Sequence, residues 1–213
     1  AVFALAMTTS CVSNLEMTEE GGRVGQVKLS AQIEDKTSTK VDDSGFLNGD
    51  SFGVFIVNHT AEDTPGSLLN EGNQADNVQY TYNEGNNLWT PKKTVIYKDA
   101  STRVNIYGYY PYDSDVSDVH AYGFSVKVDQ RKDATPGGMN GFEASDFLFG
   151  KVENVVPSEN TVSIVFRHKM ASVSVNLTKG DGWENDEAWE SATKDVLIGH
   201  TITPSVIDLG TGP

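Results

Sequence analysis

Residues 161–178 constrain the fold most, because their sequence, TVSIVFRHKMASVSVNLT, places apolar side chains at every second position. The apolar residues are at even positions over 162–166 and at odd positions over 171–177. Side chains alternate faces along a strand, so this change of phase reverses the apolar face. A β-bulge at Lys169 and Met170, or a strand that leaves one sheet for another, would keep both halves against one core. The pattern predicts a long strand in a β-sandwich.

The composition favours strands along the rest of the chain as well. The 213 residues include 20 glycines, and short apolar runs alternate with turns rich in Asn, Asp and Ser. Short apolar runs separated by turns are typical of all-β proteins. The length fits one large all-β domain, or one domain with part of another. We therefore expect a two-sheet β-sandwich.

Alternation also predicts the other strands. Residues 26–34 place Val27, Leu29, Ala31 and Ile33 on one face, which is typical of a half-buried strand. Residues 52–57 are apolar at nearly every position and predict a central strand. The turn at 83–87 predicts a hairpin between 78–82 and 88–89. Further strands are predicted at 92–97, 103–110 and 122–128, with Tyr122, Phe124, Val126 and Val128 facing inward. Residues 146–150 are predicted to be a short buried segment, and 152–156 lead to Pro157 and the long strand.

The pattern changes after residue 178. Residues 180–192 are acidic, contain Trp183 and Trp189, and predict at most one short helical turn. Residues 196–198 and 202–209 resemble two strands whose partners are missing from this sequence. We therefore expect an N-terminal β-sandwich domain over 26–178, followed over 179–213 by a linker and the truncated start of a second β domain.

The N-terminus resembles an export signal. Residues 1–7, AVFALAM, are apolar and uncharged, and small polar residues then lead to Cys11, as in a bacterial lipobox. We interpret residues 1–10 as the remnant of a signal peptide, Cys11 as the acylated first residue, and 11–25 as a flexible lipid-anchored tether. Cys11 is the only cysteine, so no intrachain disulfide is possible.

Charge excludes one class of partner. The formal net charge is −14, and the sequence contains no cluster of Lys and Arg. Because phosphate binding needs such clusters, we expect no nucleic-acid partner.

Several short motifs resemble, in order and spacing, the fimbrillin-like (Mfa-like) family of bacterial surface lipoproteins and type V pilus subunits. They are the lipobox at Cys11, NGDSFGVF at 48–55, VNIYGYYPY at 104–112, SDFLFGK at 145–151, FRHKMASV at 166–173 and IDLGTG at 207–212. Each motif is weak alone. Together they cover nearly the whole chain.

The resemblance implies a pair of transthyretin-like β-sandwich domains, exported as a lipoprotein to the outer membrane or cell surface. The protein would be an adhesin or an anchor, stalk or tip subunit. Its partners would be other pilus-type subunits or host surface proteins and glycans, besides the membrane that holds the lipid. In polymerising members a trypsin-like protease cuts after the first strand, and a neighbour's strand fills the groove that the lost strand leaves. Such donor-strand exchange satisfies the exposed backbone and apolar groups.

Mapped onto this chain, the removable strand is 26–34 and the cleavage loop is 35–49. That loop contains Lys36 and Lys40 but no arginine, which departs from the arginine-cut pattern. Arg23 precedes the strand, so a cut there would release the lipid without opening a groove. The sequence therefore leaves open whether the protein is a stalk subunit or a permanently anchored surface protein.

Residues that carry chemistry show no catalytic pattern. His168 has no nucleophile motif nearby and no second histidine at metal-binding spacing. Asp113, Asp115 and Asp118 offer oxygens for calcium but lack the glycine and glutamate of an EF-hand, which favours a solvated turn. We expect no enzyme, no cofactor and no metal site.

Tyrosines supply the alternative function. Tyr107, Tyr109 and Tyr112 lie in a run that occupies both faces of one predicted strand. Exposed aromatic rings often bind sugars or proteins, so the alternative is a surface glycan-binding module of a polysaccharide uptake system. Core or inter-domain packing of these rings is the structural interpretation.

Overall fold

The computed structural model describes residues 16–17, 23–34, 45–131 and 139–212. The strands are β1 (Glu16–Met17), β2 (Arg23–Val24), β3 (Lys28–Ile33), β4 (Ser51–Ala61), β5 (Thr64–Pro65), β6 (Ala75–Asn83), β7 (Leu88–Pro91), β8 (Val104–Tyr110), β9 (Tyr122–Ser125), β10 (Leu148–Val155), β11 (Thr161–His168) and β12 (Pro204–Ile207). A 3₁₀ turn spans Glu143–Ser145, and α1 spans Asp186–Ser191. Within the described residues, no helix has the length and apolarity needed to cross a lipid bilayer.

One eight-stranded sheet organises the molecule. Its order is β3-β11-β10-β8-β4-β6-β7, with β5 added beside β4. The end strands β3 and β7 approach each other, and Gln26 forms a bridge to Ile96, so the sheet curls around its own concave face. A second sheet pairs β9 with β12, and a third pairs β1 with β2.

Alternation along the central strands divides the buried residues into two cores. In β4, Phe52, Val54 and Ile56 face the concave side, whereas Phe55 and Val57 face the opposite side. The inner core lies within the curl and includes residues of β3, β7 and β11. The outer core lies between the large sheet and the β9–β12 sheet, which contributes Tyr122, Phe124 and Ile207. This arrangement confirms the predicted all-β sandwich.

Several predicted elements are confirmed. The central strand predicted at 52–57 is β4, which lies between β8 and β6. The predicted hairpin is β6–β7, and the strand predicted at 103–110 is β8, which ends before Pro111 as a residue without an amide hydrogen requires. The strand predicted at 26–34 is β3.

The predicted change of face in residues 161–178 is wrong. Strand β11 ends at His168, and residues 169–178 form no strand. Val173, Val175 and Leu177 are exposed. Alternation makes a segment compatible with a sheet, but a ladder also needs a partner strand, and none pairs with this segment among the described residues.

Three smaller predictions also fail. Residues 92–97 form only the single bridge at Ile96, although Val95 and Tyr97 are buried. Strand β9 ends at Ser125, so Val128 is exposed instead of facing inward. Residues 196–198 form no strand.

The second predicted C-terminal strand is present as β12, but it has a partner. It pairs antiparallel with β9, and Ile207 and Leu209 enter the outer core. The imidazole of His120 bonds the Asp208 carboxylate at 3.0 Å and the Leu68 carbonyl at 3.0 Å, which ties this segment to the sandwich. The division of the chain at residue 179 into two domains stays a prediction.

Candidate functional site

Strand β3 lies at one end of the large sheet, and among the described strands of that sheet it pairs with β11 alone. The two strands run parallel, with Leu29 beside Val162, Ala31 beside Ile164 and Ile33 beside Phe166. Every other ladder between described strands is antiparallel. A parallel pair cannot be closed by a short hairpin, so β3 is joined to its partner only through the whole intervening sandwich.

The inward face of β3, together with Val27 immediately before it, completes the inner core. Val27 and Leu29 are buried, and Ala31 and Ile33 pack against the same cluster. Burial of a Val or Leu side chain contributes about 1.5–3 kcal/mol each, so these two residues stabilise the strand by roughly 3–6 kcal/mol. We call the space that β3 fills, between β11 and residues 95–97, the β3 groove.

Backbone hydrogen bonds hold β3 on both sides. The Val27 amide donates to the Val95 carbonyl at 2.9 Å, and the Tyr97 amide donates to the Gly25 carbonyl at 3.1 Å. At the other end, the Glu34 amide donates to the Phe166 carbonyl at 2.8 Å. Removing the strand would therefore leave buried polar groups without partners, which costs free energy in addition to the lost apolar burial.

Two glycines shape the floor of the β3 groove. Gly108 and Gly150 lie opposite each other in the β8–β10 ladder. A Cβ on Gly150 would lie 2.6 Å from Ile164 Cγ2, and a Cβ on Gly108 would lie 2.8 Å from the Phe166 ring. Because the glycines have no side chains, Ile164 and Phe166 can approach the backbone of the sheet closely. The sequence contains these glycines within two of the motifs, but nothing in the pattern indicated what packs on them.

Ion pairs flank the two ends of β3. Arg167 donates two hydrogen bonds to the Glu34 carboxylate, at 2.8 and 2.9 Å. Lys28 Nζ lies 3.4 Å from a Glu159 carboxylate oxygen and 3.3 Å from the Glu159 carbonyl. The hydrogen bonds with Glu34 raise the pKa of Arg167. All four side chains are largely exposed, so solvent screens these pairs.

Phe46 covers the inner core near the end of β3. Its ring contacts Trp89, Tyr110 and Phe166 edge-on, with centroid distances of 4.9, 5.6 and 5.8 Å. Asp50 fixes the turn that follows, because its carboxylate accepts from the Leu47 amide and the Tyr110 hydroxyl. Burial raises the pKa of Asp50. The sequence predicts a loop over residues 35–49, and its pattern does not indicate that Phe46 packs on the inner core.

Three predicted site residues lie outside the described part of the chain. They are the lipidation residue Cys11 and the maturation residues Lys36 and Lys40. Their predicted roles therefore stay predictions.

The structure corrects the recognition role predicted for the tyrosines. Tyr107 and Tyr109 are buried in the outer core, where the Tyr109 ring contacts Tyr122 and Phe147, and Tyr112 is half-buried. The Tyr109 hydroxyl donates to Asn77 Oδ1 at 2.7 Å or to the Asp113 carbonyl at 2.8 Å, and burial raises its pKa. The rings of Tyr107 and Tyr109 are not on the surface, because the β9–β12 sheet covers this face of β8.

The histidines and acids have structural partners. His168 bonds Asp146 at 2.8 Å, and His59 bonds Asn105 at 2.9 Å and the Glu62 carbonyl at 3.1 Å. Asp113 accepts from the Asp115 amide and the Tyr122 hydroxyl. In the described ranges, no group of three or more His, Cys, Asp or Glu side chains is arranged to hold a metal ion.

Known proteins share both sequence and fold with this chain. A candidate fimbrium subunit of Bacteroides uniformis, Fim1C, is 27% identical over 214 residues, which cover 100% of this chain and 64% of that protein. A candidate fimbrium tip subunit of Bacteroides ovatus, also called Fim1C, is 34% identical over 100 residues, or 45% of this chain and 16% of that protein. The chain thus spans less than two thirds of each of these relatives.

A crystal structure has a similar fold. The candidate cell adhesion protein of Bacteroides ovatus superposes with a TM-score of 0.50 at 20% identity, over 69% of this chain and 53% of that one. The family model described as fimbrillin-like matches residues 39–212, which is most of the sequence. The chain therefore belongs to the fimbrillin-like family.

Proposed function

We propose that this protein is a subunit of a bacterial surface fimbrium that assembles by strand exchange at the β3 groove. In this scheme the chain is cut after β3, the strand leaves, and a strand from a neighbouring subunit takes its place. Membership of the fimbrillin-like family and the fimbrium subunits among its relatives support the assembly role.

The position of β3 is the observation that carries the proposal. Six consecutive residue pairs join it to β11, yet none of the other described strands of the large sheet pairs with it. Its departure would leave the remaining strands of the large sheet joined to one another. It would also uncover Ile164 and Phe166 and the edge of β11, and an empty groove of this kind is stabilised by accepting another strand.

Cleavage at Lys36 or Lys40 would separate β3 from the rest of the sandwich. In the sequence, both residues lie between Glu34, which is hydrogen-bonded to Arg167 of β11, and Phe46, which packs on the inner core. A cut there would place β3 and Phe46 on different fragments. Phe46 would then stay with the sandwich when the strand leaves.

Acylation of Cys11 would tether the protein to the outer membrane before assembly. Under this proposal β3 lies between the lipid and the sandwich, so the cut that opens the groove also releases the subunit from its anchor. Metabolic labelling with a palmitate analogue tests the anchor. Label is expected on the native protein and absent from a Cys11→Ser variant, and equal labelling of both would contradict acylation at this residue.

Limited digestion of the full-length protein with a trypsin-type protease tests assembly. Protein cut between residues 35 and 45, as mapped by mass spectrometry, is expected to form a ladder of oligomers on size-exclusion chromatography. A Lys36→Ala/Lys40→Ala variant is the matched control and should remain monomeric under the same digestion. Cut wild-type protein that keeps its strand and stays monomeric would contradict the proposal.

The glycan-binding alternative is not proposed. It depends on exposed rings at Tyr107, Tyr109 and Tyr112, of which the first two are buried and the third is half-buried.

A further inference from the structure

The two ends of the β3 groove carry side chains of opposite charge. Glu159 lies at the end where β3 begins, and Arg167 lies where it finishes. The resident strand matches this polarity, with Lys28 near its start and Glu34 after its last residue. Both pairs are outside the inner core, so they can discriminate between strands without determining whether the sandwich folds.

The alternation of apolar side chains does not by itself determine the register of a strand in this groove. A shift of one residue turns the apolar face outward, so it is strongly disfavoured. A shift of two residues keeps every apolar side chain facing inward, and it moves the strand by about 6.6 Å at 3.3 Å per residue. Such a shift would carry Glu34 out of hydrogen-bonding range of Arg167 and Lys28 away from Glu159.

Side-chain size adds a second restriction on register. The small residue Ala31 lies beside Ile164, whose Cγ2 is held close above Gly150. A shift of two residues would bring Leu29 or Ile33 beside Ile164 instead. Overpacking of this kind destabilises a well-filled core.

The same charges discriminate between the two strand directions. A strand like β3 that entered antiparallel to β11 would bring its acidic end to Glu159 and its basic end to Arg167. Like charges at such distances repel, and interfaces use this repulsion to suppress wrong arrangements. Parallel insertion converts both repulsions into attractions.

We propose that the β3 groove selects a partner-subunit strand that runs parallel to β11, with a basic residue at its start, a small residue at the Ala31 position and an acidic residue at its finish. This inference rests on the proposed exchange of β3. Glu159 and Arg167 are then residues that determine specificity for the neighbouring subunit, and their effect is on direction and register.

Peptide exchange into cut full-length protein tests the inference. The probes are a fluorescent peptide with the sequence of residues 25–34, GQVKLSAQIE, and the same peptide with Lys28→Glu and Glu34→Lys exchanged. Binding is measured by fluorescence anisotropy to the wild-type protein and to a Glu159→Lys/Arg167→Glu variant, both cut after β3. Since both peptides compete with the same resident strand, the ratio of their affinities on one protein is independent of that competition.

The expected result is a reversal of preference. The native peptide should bind the wild-type protein about tenfold more tightly than the exchanged peptide, and the variant should prefer the exchanged peptide by a similar factor. Two peptides that bind equally well to both proteins would overturn the selection by charge and leave strand exchange intact. If neither peptide enters the cut protein and that protein also stays monomeric, the proposed function itself fails, and the inference fails with it.

Discussion

Gly150 lies directly opposite Gly108 in the β8–β10 ladder, and the bare backbone of this pair is covered by Ile164 and Phe166. The two side chains form the surface against which β3 packs. A pair of glycines in neighbouring strands thus supports the groove from below, two strands away from β3 at Gly150 and three strands away at Gly108.

Substitution of Gly150 by alanine should destabilise the fold. The new Cβ would meet Ile164 Cγ2 at 2.6 Å and the Val165 carbonyl oxygen at 2.8 Å, and a backbone atom cannot move aside cheaply. Overpacking of this kind costs about 1–3 kcal/mol in the free energy of unfolding, which urea denaturation measures. Gly123→Ala in β9 is the control, since a Cβ there meets nothing within 4 Å. Equal stabilities of the two variants would contradict the close packing.

Truncation of Leu29 should weaken the packing of β3 against the inner core. Leu29→Ala removes a buried side chain from the inner core and is expected to lower the free energy of unfolding by about 2–5 kcal/mol. Gln32→Ala changes an exposed residue of the same strand and should have an effect within about 0.5 kcal/mol. After cleavage, the Leu29→Ala strand should also dissociate faster from the sandwich. A variant that keeps wild-type stability would show that β3 contributes little to the core.

Much of this architecture could be predicted from the sequence because its signals are local. Strand β4 is apolar on both faces and lies at the centre of the sheet, and the Asn and Gly residues at 83–87 close the β6–β7 hairpin. The phase of alternation in β3 also predicted which side chains face inward. These features depend on residues near one another in the chain.

The parallel pairing of β3 with β11 could not be predicted from residue patterns, because 126 residues lie between Glu34 and residue 161 and nothing local encodes which strands meet. The same limit explains the wrong prediction at 171–177, where alternation is present but no described strand pairs with it. The role of Arg167 was equally hidden, since its partner Glu34 is far away in the sequence.

Tyr109→Phe should separate a packing role from a recognition role. The hydroxyl donates to Asn77 Oδ1 or the Asp113 carbonyl and accepts from the Asp113 amide, so its loss removes a hydrogen-bond partner from Asn77 Oδ1 and from that amide. The expected cost is about 1–3 kcal/mol in the free energy of unfolding, measured by urea denaturation. Tyr112→Phe is the matched control at a half-buried ring and should be close to neutral. An unchanged stability for Tyr109→Phe would contradict the packing role.

The link between His120 and Asp208 should make stability depend on pH. The hydrogen bond to Asp208, followed by that to the Leu68 carbonyl, raises the pKa of His120 above its ordinary value of 6.5. A pKa that is higher in the folded state than in the unfolded state stabilises the fold. This stabilisation is fully present below the unfolded pKa of about 6.5 and is lost as the pH rises through the pKa of the folded state. Because the imidazole is half exposed, the contribution should stay below about 1 kcal/mol.

Unfolding at pH 5.5 and pH 8.5 measures this contribution. His120→Gln should destabilise the protein more at pH 5.5 than at pH 8.5. His200→Asn removes an exposed histidine in residues 196–203 and serves as the control, with the same small effect at both values. A larger loss for His120→Gln at the higher pH would have the wrong sign and would contradict the proposed link.

A reversible lock on β3 tests most directly whether this strand must leave for subunits to assemble. Ser30 and Ser163 face each other in the β3–β11 register, so a Ser30→Cys/Ser163→Cys variant in a Cys11→Ser background can form a disulfide across the pair. Thr81→Cys/Thr90→Cys provides the control lock within the β6–β7 hairpin, which does not move during exchange. Each protein is cut after β3 and then separated by size under oxidising and reducing conditions. The account predicts oligomers from the β3-locked variant only after reduction, whereas the control forms them in both conditions. Oligomers from the oxidised β3-locked variant would contradict it.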